Sequence, residues 1–506
     1  MLARAHTFTI DGLQTRHVSV EVDVRRGLPA FTIVGLADAA VREARERVRA
    51  AILNSGYEFP ASRITANLAP GDVPKAGAAL DLALACAVLA ASGQLPRETL
   101  DRHALIGELA LDGSVRPARG TLAVAQASLR DGLRTLIVGG ARAHEARLVG
   151  GLRVAVAESL RSAACVLDGG EGDPLPAATR SLRPRAADRP DLLDVLGQQH
   201  AVQALVTAAA GGHNCLLSGP PGVGKTMLAQ RVGSILPPLD RNEAIEVTRI
   251  HSIAGTIAGG LQRERPLRAP HHTITAAGLV GGANGARVGE VVLAHNGVLF
   301  LDELSEFART ALEALRQPLE DGRVAIVRAS HATVHPARFM LLAATNPCAC
   351  GYAGVDELCR CSEAELARHR RRLSGPLLDR IDIHARLAHA SERSADTLPP
   401  LGSDQARERV LAARERQARR LRADGVSLNA HMTPRLLREH ARLGDRDERL
   451  LKDACARGML SARGESRVLG VARTIADLAG RERIGRGELS EAIGLRVDVA
   501  STQRSR

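Results

Sequence analysis

The sequence predicts a multidomain α/β protein, and three observations predict it. A chain of 506 residues is too long for one hydrophobic core. Near its middle the apolar run Cys215-Leu216-Leu217 leads through a glycine-rich loop into a helix-prone stretch, the strand–loop–helix order of a parallel sheet. Beyond about residue 400 arginine and glutamate interleave at helical spacing. The expected partition is an α+β domain over 1–168, a linker over 169–190, a parallel-sheet core over 191–400 and a helical segment over 401–506.

The first segment alternates short apolar runs (Val18 to Val22, Phe31 to Val34, Ile64 to Leu68) with helical patterns (Ala39 to Ala51, Leu80 to Ala91). The proline-, glycine- and arginine-rich stretch from Gly169 to Pro190 has linker composition. The core then opens on Gly219-Pro220-Pro221-Gly222-Val223-Gly224-Lys225-Thr226, which fits Gly-x4-Gly-Lys-Thr in the context that motif needs. Its glycines let backbone N–H groups face phosphate oxygens, Lys225 reaches the outer phosphates, and the Thr226 hydroxyl serves Mg²⁺. The run Gly297-Val298-Leu299-Phe300-Leu301 reads as a buried parallel strand delivering Asp302 and Glu303 to its C-terminal edge. Asp302 would hold Mg²⁺ through its water shell, and Glu303 would polarise an attacking water. A second buried strand ends at Asn346, whose amide can orient that water.

Composition narrows the partners. Net charge is +12, divided as +4 over 1–190, 0 over 191–400 and +8 over 401–506. The C-terminal excess fits a polyanion such as nucleic acid, with a solvated arginine-rich helical surface as the alternative. Only Lys75, Lys225 and Lys452 are lysines, so the ammonium retained at 225 marks a place where a planar guanidinium would not serve. Aromatic residues are 2% of the chain, which argues against reading single strands by base stacking. No run approaches the roughly 18 apolar residues of a membrane span, and Met1-Leu2-Ala3-Arg4-Ala5-His6 lacks a signal-peptide core. A cytoplasmic protein with no membrane partner is expected.

Four of the eight cysteines, Cys348, Cys350, Cys359 and Cys361, fall within fourteen positions. Clustered thiols in a cytosolic chain read as a metal site more readily than as disulfides. Zn²⁺ with four thiolates, an unmetallated turn and a redox switch all remain open, because C-x-C is tighter than the usual zinc spacing.

Two resemblances follow. Pro74-Lys75-Ala76-Gly77-Ala78-Ala79-Leu80-Asp81, with Leu105-Ile106-Gly107-Glu108-Leu109 and Asp112-Gly113-Ser114-Val115-Arg116-Pro117, resembles the proteolytic domain of Lon-type proteases. Ala78 and Ala79 stand where that family would carry its serine, and the segment after Pro117 offers no lysine as its base, so a noncatalytic domain is expected. The phosphate loop, Asp302-Glu303, Asn346 and Leu377-Leu378-Asp379-Arg380-Ile381-Asp382 together resemble AAA+ ATPases of the magnesium-chelatase branch. Arg268-Ala269-Pro270-His271-His272-Thr273, Asn346-Pro347-Cys348 and Val471-Ala472-Arg473-Thr474-Ile475-Ala476-Asp477-Leu478 narrow this to the YifB/ComM family over essentially the whole chain. The resemblance implies a homo-oligomeric, hexameric ring ATPase using ATP and Mg²⁺, with ComM-type members acting as DNA helicases in branch migration. It implies that Arg380 reaches a neighbouring subunit's ATP, and that Arg463, with Arg467 as alternative, is a second nucleotide-sensing arginine on the lid. It also places pore contacts on the insert around Arg268 to Arg287 and on the hairpin Arg323 to His331. The rival reading is a protein-remodelling motor of the magnesium-chelatase kind.

Overall fold

Alternation decides the first sheet. Along Gln14–Arg25 the side chains of Val18, Val20 and Val22 are wholly buried while Ser19, Glu21 and Asp23 are not, the period of two expected of a strand with one covered face. The computed structural model describes residues 1–36, 38–75, 77–177, 190–257, 259–282, 288–328, 331–353, 358–372, 375–389 and 398–497. Arg287, Ser374 and most of the expected linker lie outside the described residues.

The chain forms two compact units. In the first, seven strands lie in the order Ala30–Val34, Arg63–Ala69, Gln14–Arg25, Leu2–Asp11, His103–Ile106, Thr135–Val138, Arg153–Val156. Leu2–Asp11, Gln14–Arg25 and Arg63–Ala69 pair antiparallel, and the outer strands add in parallel. Helix Asp81–Ala91 packs on the central antiparallel pair with every residue buried. Its one charge, Asp81, is met by a bidentate Arg47 at 2.7 and 3.0 Å.

Residues 240–263 lie in the middle of the sequence but inside this first unit in space. Helix Arg241–Ala254 starts on a reciprocal cap between Asp240 and Glu243 and packs on helix Thr121–Arg130. The wholly buried Glu145 accepts from Arg142 at 3.0 Å, from the Gly259 N–H at 3.2 Å and from the Ser252 hydroxyl. The Ser252 carbonyl in turn accepts from Gly120 N at 3.1 Å. A carboxylate taken out of water needs such partners, so the helix is held by polar as well as apolar contacts.

The second unit is built on five parallel strands in the order Leu267–Arg268, Gly297–Leu301, Phe339–Thr345, Cys215–Ser218, Ile383–Arg386. All five residues of Gly297–Leu301 are buried, as a parallel strand covered on both faces must be. After Cys215–Ser218 the chain crosses to the far edge, returns to one side of that strand, then crosses to the other. Its C-terminal end is therefore the topological switch point, where a crevice opens.

Helices Ser403–Leu421, Pro434–His440, Asp445–Ala456, Ala462–Leu478 and Arg486–Val497 follow the sheet. Val410, Val468 and Val471 share one core with Leu205, Leu217, Leu342 and Ile383. A buried polar clasp reinforces it. Asp477 takes both guanidinium nitrogens of Arg420 at 2.7 Å and the Asn429 amide at 2.8 Å, and Thr474 meets Asn429 and His213 at 2.9 and 2.8 Å. Strands Arg323–Arg328 and His331–Pro336 form the expected antiparallel hairpin. Among the described residues no helix is long and apolar enough to cross a membrane.

Candidate nucleotide-binding site

The loop after Ser218 is shaped by three glycines with different reasons. Gly222 and Gly224 have φ of +77° and +99°, where side chains are strained, and the space around Gly222 is open. Gly219 is a matter of proximity: a Cβ there would sit 2.7 Å from the Leu387 carbonyl oxygen. Gly224 caps helix Lys225–Gln230, and Val223 is buried beneath the loop.

Lys225 folds back across this loop. Its Nζ donates to the carbonyls of Gly219 and Pro220 at 2.7 Å each and to Asn346 Oδ1 at 2.9 Å. Burial pushes its pKa down, opposed by Asp302 and Glu303. Beside it the Thr226 hydroxyl donates to Asp302 Oδ2 at 2.7 Å, and Asp302 Oδ1 accepts the Glu303 N–H at 3.0 Å. Glu303 itself adopts φ +54° and ψ +51°, costly for a non-glycine residue and typical of positions held for function. That turn leaves its carboxylate mostly exposed, with Oε2 3.6 Å from Nδ1 of His272. The His272 ring lies against His271, tilted by 33° with centroids 4.1 Å apart.

Arg380, Arg463 and Arg467 are elsewhere. Asp382 N and Ile383 N both bond the Asn214 carbonyl, so Arg380 lies where Cys215–Ser218 and Ile383–Arg386 begin, at the sheet edge opposite the phosphate loop. There a basin of about 740 Å³ is lined by all three arginines together with Glu320, Arg338 and Asp382. Glu320 pairs with Arg380 at 2.5 Å and lies 3.8 Å from Arg463. Asp382 pairs with Arg467 at 3.0 Å and accepts from Asn214 N at 2.8 Å. Burial alone would raise its pKa, but Arg467, His213 and the Asn214 N–H outweigh burial and hold the carboxyl at about 2. Arg268, on the expected pore insert, is engaged by Glu290 at 2.7 and 2.9 Å. The structure thus gathers Lys225, Thr226, Asp302, Glu303 and Asn346 at one edge, and Arg380, Arg463 and Arg467 at the other.

The sulfurs of Cys348, Cys350, Cys359 and Cys361 all lie within 4.8 Å of one another. Cys348–Cys350, Cys348–Cys359 and Cys350–Cys359 are 3.3, 3.9 and 3.7 Å apart. The Ala353 N–H points at Cys348 Sγ, 3.2 Å away.

A family model for the magnesium chelatase subunit ChlI matches residues 191–395, a further ChlI model matches 20–141, and one for the ChlI C-terminal region matches 401–496. A protein of Mycobacterium tuberculosis is 44% identical over 98% of both chains. The YifB protein of Escherichia coli is 42% identical over 98% of this chain and 97% of its own, and the competence protein ComM of Haemophilus influenzae 41% over 97% of each. The chain belongs to the YifB/ComM family of magnesium-chelatase-like proteins.

Membership in the YifB/ComM family supports an AAA+ ATPase and points to ATP and Mg²⁺ and to oligomeric assembly. The residues present fit that pair. Three acceptors now hold the Lys225 ammonium where a phosphate could replace them, and the Thr226–Asp302 pair offers two oxygens suited to Mg²⁺. In this YifB/ComM chain the partners of Glu303 and Arg380 escaped the sequence. His272 falls in the insert expected to carry pore contacts, and Glu320 belongs to no motif of the sequence. No signal in the sequence alone points to His272: it follows Leu267–Arg268, and only the pairing of that strand with Gly297–Leu301 brings it to Glu303.

Proposed function

We propose that this protein hydrolyses ATP with Mg²⁺ as a homo-oligomeric, hexameric AAA+ ring and uses the cycle to move along DNA, promoting branch migration in recombination or natural transformation. The observation that carries the reading is the convergence of Lys225, Asn346, Thr226 and Asp302 at the switch point of the sheet, through bonds of 2.7 to 2.9 Å. Lys225 would leave the Gly219 and Pro220 carbonyls for phosphate oxygens. Thr226 and Asp302 would hold Mg²⁺, which neutralises charge on the phosphates. Glu303, on its exposed turn, would accept the proton of the attacking water, and Asn346 would orient that water. Arg380 and Arg463 lie at the other edge of the sheet, so each would serve the site of a neighbouring subunit.

DNA is favoured as the partner by the +8 charge of residues 401–506 and by the competence protein among the relatives. We read residues 1–168 as a Lon-like but noncatalytic domain. Ala78 and Ala79 offer no hydroxyl, and Lys75 is buried with its ammonium on the Pro70 carbonyl. Residues 401–506 are read as the lid of the motor, and the protein as cytoplasmic. A protein-remodelling motor is the second reading, favoured by the magnesium chelatase models across the chain. Steady-state ATPase measured alone and with single-stranded, duplex and forked DNA separates the two. Stimulation by DNA is expected, and turnover indifferent to all three would remove the translocase.

A further inference from the structure

The segment between Asn346 and helix Glu363–Arg372 has little to hold it together. Of its described residues only Cys348 is a buried apolar side chain. A stretch without a core of its own is commonly organised by a metal ion, whose binding energy then becomes folding energy. Its four thiols have the required arrangement. Four sulfurs about 2.3 Å from a tetrahedral Zn²⁺ stand about 3.8 Å apart, and three of the sulfur pairs here measure 3.3, 3.7 and 3.9 Å. A disulfide would need about 2.05 Å and would join only two of the four. The Ala353 N–H aimed at Cys348 Sγ suits a thiolate ligand.

What the segment touches gives the site a role. Gly351, with φ +89°, lies so close to the phosphate loop that a Cβ would be 2.6 Å from Pro221 Cδ. The cysteine turn also brackets Asn346. The chain runs from Asn346 through all four cysteines into the next helix, where His369 Nε2 returns to the Asn346 carbonyl at 3.0 Å. Asn346 is the residue that receives Lys225.

We propose that Cys348, Cys350, Cys359 and Cys361 bind one Zn²⁺, and that this zinc knuckle fixes the phosphate loop through Gly351–Pro221 and Asn346–Lys225, so that nucleotide affinity depends on the metal. The second half rests on the nucleotide site proposed above. The first half stands by itself.

The test uses full-length protein purified without added zinc. Elemental analysis should give about one zinc per chain, and cobalt-substituted protein should show the visible bands of tetrahedral thiolate coordination. Zinc near zero with four freely titratable thiols in the folded state overturns the site. Binding of a fluorescent ATP analogue is then compared among wild type, Cys359→Ser and Gly351→Ala, each checked for retained fold by circular dichroism. Cys359→Ser should lose the metal. Gly351→Ala keeps all four thiols and should keep it. Both should bind the analogue about tenfold or more weakly, because the contact with Pro221 is displaced. Wild-type affinity in both variants overturns the clamp and leaves a metal site without it. Zinc-loaded wild type that binds no nucleotide at all sinks the nucleotide site and the clamp together, while the stoichiometry still decides the metal.

Discussion

Lys225 has three acceptors, and two of them are carbonyls of its own loop. Lys225→Ala should abolish nucleotide binding in a fluorescence titration. Glu303→Gln should bind normally and turn over about 10² to 10⁴ times more slowly, since only the proton acceptor is lost. His272→Ala, which frees the Glu303 carboxylate, should change turnover while leaving nucleotide affinity alone; a parallel loss of affinity would mean that His272 shapes the pocket instead. A buried histidine gives a pH prediction. His384, on the central sheet, is pushed down to about 4 by burial and by Arg496. Its folded pKa lies below the unfolded 6.5, so its neutral form contributes stability that is fully present above pH 6.5 and is lost as pH falls toward 4, up to ~3 kcal/mol. Urea titrations at pH 7 and pH 5 should differ less for His384→Leu than for wild type. At this scale Lys225, Thr226 and Asp302 were legible because a short motif carries their geometry. His272 was not, because its meeting with Glu303 depends on which strands are neighbours.

Helix Ala462–Leu478 carries the most recognisable string of the C-terminal segment, Val-Ala-Arg-Thr-Ile-Ala-Asp-Leu. The fold gives that string a mechanical use. Arg473 is almost wholly buried and caps the carbonyls of Glu482 and Arg481 at 2.6 and 2.5 Å, while Thr474 and Asp477 form the clasp with Asn429, Arg420 and His213. Asp477→Ala would take away the carboxylate that meets Arg420 at 2.7 Å and Arg473 at 3.2 Å, and removing one member of a buried ion pair costs about 3–5 kcal/mol. Denaturant unfolding should register a loss of that size, and a loss under 1 kcal/mol would show the clasp to be dispensable. Helical periodicity made the helix legible. Its partners come from residues 213, 420 and 429, and no pattern within the string points to them. The strand Gly297–Leu301 was legible in full, since a five-residue apolar run ending in two carboxylates has few other readings.

For the whole molecule, the separation of Lys225 from Arg380 has a consequence for assembly. If Arg380 serves a neighbour, Arg380→Ala subunits, which keep their phosphate loop, and Lys225→Ala subunits, which keep the arginine, should each be nearly inactive alone and regain ATPase activity when mixed. Mixed rings that remain inactive would show Arg380 to be only the partner of Glu320. The helix Arg241–Ala254 has a different consequence, in the order of synthesis. Cys215–Ser218 and the phosphate loop emerge from the ribosome before the helix that completes the unit begun at Met1, so that unit waits for about a hundred residues beyond its last strand, Arg153–Val156, with Glu145 lacking its Ser252 partner. A nascent chain stalled soon after residue 168 should therefore be readily cut by protease, and one stalled with residue 263 clear of the exit tunnel should resist. The first unit of this protein would be finished by a helix encoded beyond the phosphate loop.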